Sequence, residues 1–319
     1  MFVKAKTIMA VMLTTSFAMP AFAAYPDKPV TIVVPYPAGG AADNIARVFA
    51  KSLSGKIAQP VVIENKSGAS GTIGAGEVVR AKPDGYTLLF TVTTQLSNQG
   101  FNVKPNYDSL KDFEPIIGVT IAPLVLAVRQ DLGVSSLKEL SEKQTDKHYA
   151  YGSYGAGTST HILPYLLGQQ LGMDKTHIPY RGESPLVTDL LGGRIDLGML
   201  NINNGIELSQ AGKVTLVGVV GNRRSMYLPD VPTLTEQGYK DMDWSYGTAV
   251  YTSSKVPADI RQYLFEKSKE AMQDPELRET LSKQRNEIWD NTTPEQLKER
   301  LVQDTTKWKA VLDELGNIE

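Results

Sequence analysis

Residues 30–47 read VTIVVPYPAGGAADNIAR. An uninterrupted apolar run passes through Pro-Tyr-Pro-Ala-Gly-Gly into a segment with helical spacing, and this junction restricts the fold more than any other feature. Residues 30–34 show no polar alternation, so they read as a strand covered on both faces. Ile45, Val48, Phe49 and Leu53 then fall on one face of a helix over 41–53. A second strand is predicted over 61–64, a helix over 71–80 and a third strand over 87–92. The resulting βαβαβ order predicts an α/β fold built on a mainly parallel sheet flanked by helices.

The pattern restarts after Pro115. Short strands are predicted over 124–128, 149–153, 177–180, 195–200 and 215–220, with a helix over 184–191 among the segments between them. A Pro/Gly-rich connection at 228–238 precedes another strand-like run at 244–252. At 319 residues the chain accommodates two domains of about 150 residues each. The remainder reads as helical. Asp274-Pro275 and Thr293-Pro294 are N-cap starts with proline at the first helical position, and Thr293 with Gln296 forms a capping box. The last helix carries Leu297, Leu301, Trp308, Val311 and Leu312 at near-helical spacing, a stripe expected to pack on a domain.

The opening junction has an echo. PYPAGGAADNI at 35–45 resembles SYGAGTSTHIL at 153–163, with Tyr36, Ala38 and Gly39 in register with Tyr154, Ala156 and Gly157. Each loop follows a strand and feeds a helix start, where unpaired N–H groups and the helix dipole favour an anion. Glycine and alanine let a ligand approach that backbone closely. Thr158, Ser159 and Thr160 add hydroxyls, and neither loop contains lysine. A carboxylate or phosphate held by dipoles and hydroxyls is the expected ligand.

Enzyme signatures nearly form and then fail. Residues 71–77 have P-loop spacing, but Glu77 stands where lysine must neutralise phosphate. Tyr151 breaks the frame of a nucleophile elbow around Ser153. His148, His161 and His177 lack the spacing of a zinc pair on one helix, so no metal or cofactor is expected. Only His161 is near enough in sequence to serve Ser153 as a base. Asp189 and Asp196 read as a cap and a loop residue rather than an acid/base couple. With a net charge of −2 nothing suggests a nucleic-acid partner.

Lys4 and Lys6, an apolar run over 7–19 and Ala21-Phe22-Ala23 read as a cleavable signal peptide over 1–23. The chain has no cysteine, so an oxidising compartment carries no risk to thiols. A periplasmic, soluble mature protein is the expectation.

From Tyr25 onward the chain resembles the Bug-type periplasmic solute-binding proteins of tripartite tricarboxylate transporters. The resemblance rests on YPDKPVTIVVPYPAGGAADNIAR, VIENKSGASGTIGA, KPDGYTLL, YGSYGAGTSTH, IPYRGESPLVTDLLGGRIDLGM and LPDVPTLTEQG. It implies a two-domain fold of the type II periplasmic-binding-protein class, with domain 1 at 24–120 and 245–319 and domain 2 at 121–244. Two crossover connections near Thr120 and Trp244 would serve as the hinge. It also implies capture of a small carboxylate without catalysis and delivery to membrane permease subunits, with the protein acting as a monomer. Ligand contacts would come from Tyr36, Ala38, Gly39, Gly40, Thr93 and Thr94 in the first domain. Ser153, Gly155, Thr158, Ser159 and Asn201 would supply them in the second. Two alternatives stay open: a ligand-binding component for a signalling receptor, and a hydrolase or transferase using Ser153 or His161. The chain departs from the family at His161-Ile-Leu-Pro164-Tyr165, where a His-Leu-x-Gly-Glu run is common and the glutamate is missing here, and at Leu200-Asn201, where an acidic residue is common. Pro164 also requires either a helix that starts late, near Thr160, or a kink.

Overall fold

The computed structural model describes residues 25–97, 105–121, 123–143, 148–244 and 247–315, so the expected signal peptide lies outside the described residues. Eleven strands are described: β1 Val30–Val34, β2 Val61–Asn65, β3 Thr87–Val92, β4 Phe113–Ile121, β5 Leu124–Arg129, β6 Tyr149–Ser153, β7 Lys175–Pro179, β8 Leu197–Asn201, β9 Val214–Val219, β10 Gly247–Ser253 and β11 Glu287–Ile288. The helices are α1 Ala41–Ile57, α2 Thr72–Arg80, α3 Thr93–Ser97, α4 Ser109–Asp112, α5 Leu137–Glu142, α6 Ser159–Gln170, α7 Glu183–Leu191, α8 Ile202–Gln210, α9 Ala258–Met272, α10 Pro275–Lys283 and α11 Pro294–Leu315.

The strands form two sheets, ordered β11-β4-β10-β3-β1-β2 and β7-β6-β8-β5-β9. Each sheet has cores on both faces and forms one lobe. Val30, Ile32 and Val34 join one cluster while Val33 joins another. In the second lobe Leu124, Leu126 and Val128 face one core, and Val125 and Ala127 the other. Burial on both faces is why these strands read as continuous apolar runs.

The expected parallel order holds for β2-β1-β3 and β7-β6-β8. The sheets as a whole are mixed, because β10 runs antiparallel to β3 and β4, and β5 antiparallel to β8 and β9. Chain path explains this. β4 ends at Ile121 and β5 starts at Leu124, so the two sheets meet along those edges. A strand arriving from the other lobe starts at the shared edge and runs away from it, opposite to strands that end there. β1, β3, β6 and β8 therefore all finish at the boundary between the lobes.

One element, β4, departs from the sequence reading, while α6 starts within a residue of the expected Thr160. β4 runs straight through Pro115, which faces Tyr251 beside a register shift in β10. On the other flank β11 pairs only with Thr120 and Ile121, so no ladder there needs the missing N–H. α6 starts at Ser159 and continues past Pro164 to Gln170, which puts proline beyond the first turn. Its ring denies the Thr160 carbonyl its usual helical donor.

α11 packs on both lobes. Leu301 belongs to the cluster of Val33, Leu89 and Tyr251, whereas Trp308 and Val311 join that of Leu124 and Trp244. Trp308 meets Trp244 edge-on with centroids 4.6 Å apart. Arg300 donates to the Asp243 carbonyl at 2.7 Å and Lys307 pairs with its carboxylate at 2.6 Å. The returning connection at 243–244 is thus fixed to a helix that also lies on the first lobe.

Candidate functional site

The loop after β1 is shaped by one buried carboxylate. Gly39 has φ +80°, and a side chain there would meet nothing within 4 Å, so the glycine is required by backbone conformation and not by crowding. Gly40 caps α1 without a side-chain bond. Asp43, on the first turn of α1, reaches back and accepts the Gly39 N–H at 2.8 Å. It also accepts from Arg47 Nε and Asn65 Nδ2, both at 2.9 Å. Asn65 donates in addition to the Tyr36 carbonyl at 3.1 Å. Burial alone would raise the Asp43 pKa, but these donors outweigh it and hold the carboxyl below its usual range. The sequence reading counted Gly39 as a ligand contact; its amide is committed to Asp43. Ala38, Gly39 and Gly40 themselves are exposed.

The end of β3 lies beside this loop. Tyr36 Oη and Thr91 Oγ1 are 3.0 Å apart, and Thr91 donates to Gln95 Oε1 at 3.2 Å. Thr93 and Thr94 open α3 immediately after β3, and both are buried.

The second loop has a denser network. Ser153, buried at the end of β6, accepts the Gly155 N–H at 3.1 Å and donates to the Gly155 carbonyl at 3.0 Å. Its Oγ also lies 2.7 Å from His177 Nε2. A hydroxyl has one proton, so with that proton on Gly155 the imidazole is the donor. Thr158 Oγ1 donates to Gly155 O at 2.7 Å and sits 2.8 Å from Thr160 Oγ1, which accepts the Tyr154 N–H at 2.9 Å. Gly157 N–H donates to His161 Nδ1 at 3.0 Å. The His161 and His177 rings stack with centroids 3.6 Å apart and planes 10° apart. Burial pushes both down to about 4, and for His177 the neighbouring His161 adds to the effect. Two neutral imidazoles therefore support the loop at neutral pH.

This corrects the expected pairing, since Ser153 meets His177 rather than His161. The contact does not make a catalytic triad. Among the described residues no carboxylate hydrogen-bonds His177, so the third member of a triad is missing. The two other carboxylates also have structural partners. Asp189 accepts from Tyr180 Oη at 2.9 Å, and Asp196 accepts from Arg129 Nε at 3.0 Å and Ala150 N at 2.9 Å.

Asn201 ends β8 and caps α8. Its N–H donates to Glu183 Oε1 at 2.7 Å and to Tyr154 Oη at 3.1 Å, and its Nδ2 donates to Glu183 Oε2 at 2.6 Å. A half-buried carboxylate is thus clamped beside the second loop. Glu183, Asp43 and Asn65 escaped sequence reasoning, and His177 entered it only as a histidine without metal spacing. Only Asp43 carried a local signal, an acidic residue in the first turn after Gly-Gly.

Strand direction brings these groups to one boundary. Tyr36 to Gly40 follow β1 and Thr93 follows β3; Ser153 closes β6 and Asn201 closes β8. Crevices outside the carboxyl ends of strands are where open α/β sheets bind ligands. Among the described residues no helix is long and apolar enough to cross a membrane.

Comparison with known proteins agrees with this architecture. Protein BugT of Bordetella pertussis is 31% identical over 308 residues, covering 95% of this chain and 94% of BugT. The periplasmic binding protein BugD superposes with a TM-score of 0.74 at 32% identity, over 92% of this chain and 99% of that one. MatC from Rhodopseudomonas palustris, solved with bound malate, gives 0.74 at 27% identity over 90% of this chain and all of its own (100%). The family described as tripartite tricarboxylate transporter family receptor matches residues 45–317, and this chain belongs to it.

Proposed function

We propose that this receptor captures a small carboxylate solute between its two lobes in the periplasm and delivers it to the membrane permease of a tripartite tricarboxylate transporter. The observation that supports this most is the placement of two glycine-containing helix starts at the ends of β1 and β6, on the boundary between the lobes. The helix starts at Ala41 and Ser159 offer backbone N–H groups and dipoles to an anion without a full countercharge. Tyr36, Ala38, Gly40, Thr93 and Thr94 line one side and Ser153, Gly155, Thr158, Ser159 and Asn201 the other. Gly39 acts by letting the first loop turn, since its own N–H is engaged.

Residues 24–120 with 245–319 form one domain and 121–244 the other, hinged at the connections near Thr120 and Trp244. Closure excludes water and strengthens each anion contact. Micromolar affinity corresponds to about 8 kcal/mol. The malate bound by MatC supports a dicarboxylate as the first ligand to try. A monomer suffices, since both halves of the site come from one chain.

The test is a thermal-shift screen of purified protein against mono-, di- and tricarboxylates, followed by calorimetry. A solute bound only by the native state raises the melting temperature. Stabilisation by a carboxylate, lost in Gly39→Asp with the fold intact, is expected. A preference for cationic solutes would refute the anion-site reading.

A further inference from the structure

On the far flank of the interlobe connections, one buried carboxylate of the first lobe takes three donors from the second. Glu287, on β11, is 4% exposed. It accepts from Arg223 Nη2 at 2.9 Å, Ser225 Oγ at 2.5 Å and Met226 N at 3.2 Å. Those donors lie in the segment after β9, which is anchored in the second lobe by Leu228 and Val231. β11 is held in the first lobe by its pairing with Ile121 and Thr120.

The order of strands separates this contact from the ligand loops. Along the boundary, β1 and β3 lie on one side of the crossing strands β10 and β4, and β11 lies on the other. In the second lobe β6 and β8 lie on one side of β5, and β9 on the other. The Glu287 contact shows that the β11 flank faces the β9 flank. A rotation about the connections that brings the ligand loops together draws this opposite flank apart.

We infer that Glu287 is a positioning residue that holds the lobes in the open arrangement, so that its bonds oppose closure and set ligand affinity. The inference rests on the hinged reading given above. Three observations support the direction. The contact is formed in a structure whose first loop is exposed at Ala38, Gly39 and Gly40. The carboxylate borders a cavity of about 550 Å³ lined from both lobes, among others by Trp244 and Trp289, so packing around the carboxylate itself is not continuous. Other bonds between the lobes here are exposed, including Tyr227 Oη to the Ser282 carbonyl at 3.4 Å and Arg285 with Glu207 at 3.5 Å. Exposed pairs of that kind contribute little, whereas a buried carboxylate with three donors resists separation.

If the closed form is a minor state, its fraction multiplies directly into apparent affinity. Raising that fraction from about 1% to about 10% tightens binding about tenfold. Weakening the clasp should therefore improve affinity, the opposite of what loss of a ligand contact does.

The test needs no ligand. The chain has no cysteine, so cysteines introduced at exposed Lys82 and Thr188 can carry spin labels, one in each lobe. Pulsed electron–electron distance measurement is made on this background with Glu287→Gln and, separately, Arg223→Met. A gain of shorter interlobe distances in unliganded variants supports the inference. Unchanged or longer distances in folded protein overturn it, whatever the outcome of the carboxylate screen. Should Glu287→Gln fail to fold, Arg223→Met decides, because that side chain is more than half exposed. Calorimetry with malate adds a second readout: where wild type binds malate, the variants should bind it several-fold more tightly.

Discussion

Asp43→Ala should loosen the first ligand loop and destabilise the first lobe. The carboxylate is buried and accepts from Gly39 N, Arg47 Nε and Asn65 Nδ2. Hydrogen bonds to a charged group contribute about 1.5–3 kcal/mol each. Arg47 is half exposed, so its pair counts for under about 1 kcal/mol. Gly39 and Arg47 regain water in the variant, which removes part of the remaining cost. A net loss of about 2–3 kcal/mol follows, or roughly 4–12 °C in melting temperature for a cooperative unit of this size. Circular dichroism melts of wild type and variant at pH 7 measure it. The sign with pH is also set. The native pKa of Asp43 lies below its unfolded value, so the carboxylate's contribution is full above the ordinary carboxylate range and is lost as pH falls through the native value. The gap between wild type and Asp43→Ala must therefore shrink in acid. A loss below about 0.5 kcal/mol at pH 7, or a gap that widens on acidification, refutes the assignment.

Both stacked histidines are pushed down to about 4, so the native state binds fewer protons than the unfolded chain between that value and about 6.5. Wild-type stability should fall as pH drops across this window, and the double change His161→Gln with His177→Gln should flatten the decline in urea titrations. Trp308→Ala should cost about 3–5 kcal/mol, because the indole is fully buried against Trp244 and the second-lobe core. A loss under 1 kcal/mol would mean that α11 does not tie the lobes together. Gly39→Ala has room for its methyl group but imposes φ +80° on a β-carbon, so it should destabilise by about 1–2 kcal/mol and weaken carboxylate binding; unchanged calorimetry would remove Gly39 from the site.

Local signals carried much of this protein. Strands 30–34, 87–92 and 149–153 were readable to the residue because burial on both faces leaves nothing but apolar and small side chains. The two glycine-containing helix starts were equally plain, since a turn at positive φ allows few other residues. Pairing across long separations was not readable. β4 runs through Pro115 because β10, more than 100 residues away in sequence, supplies its partner. The antiparallel crossing strands follow from the path between lobes, which no local pattern records. Ser153 and His177 lie 24 residues apart, and Asn201 and Glu183 lie 18 apart. Neither member of a pair signals its partner in its own segment, and tertiary adjacency alone brings them into contact. Glu287 looks like any charged residue after a helix until the fold brings it back to Ser225, 62 positions earlier in the chain. Periodicity and turn chemistry act over a few bonds, so sequence determined the elements and the loops between them. Which groups share a hydrogen bond depends on how those elements stack, and only the tertiary structure decided that.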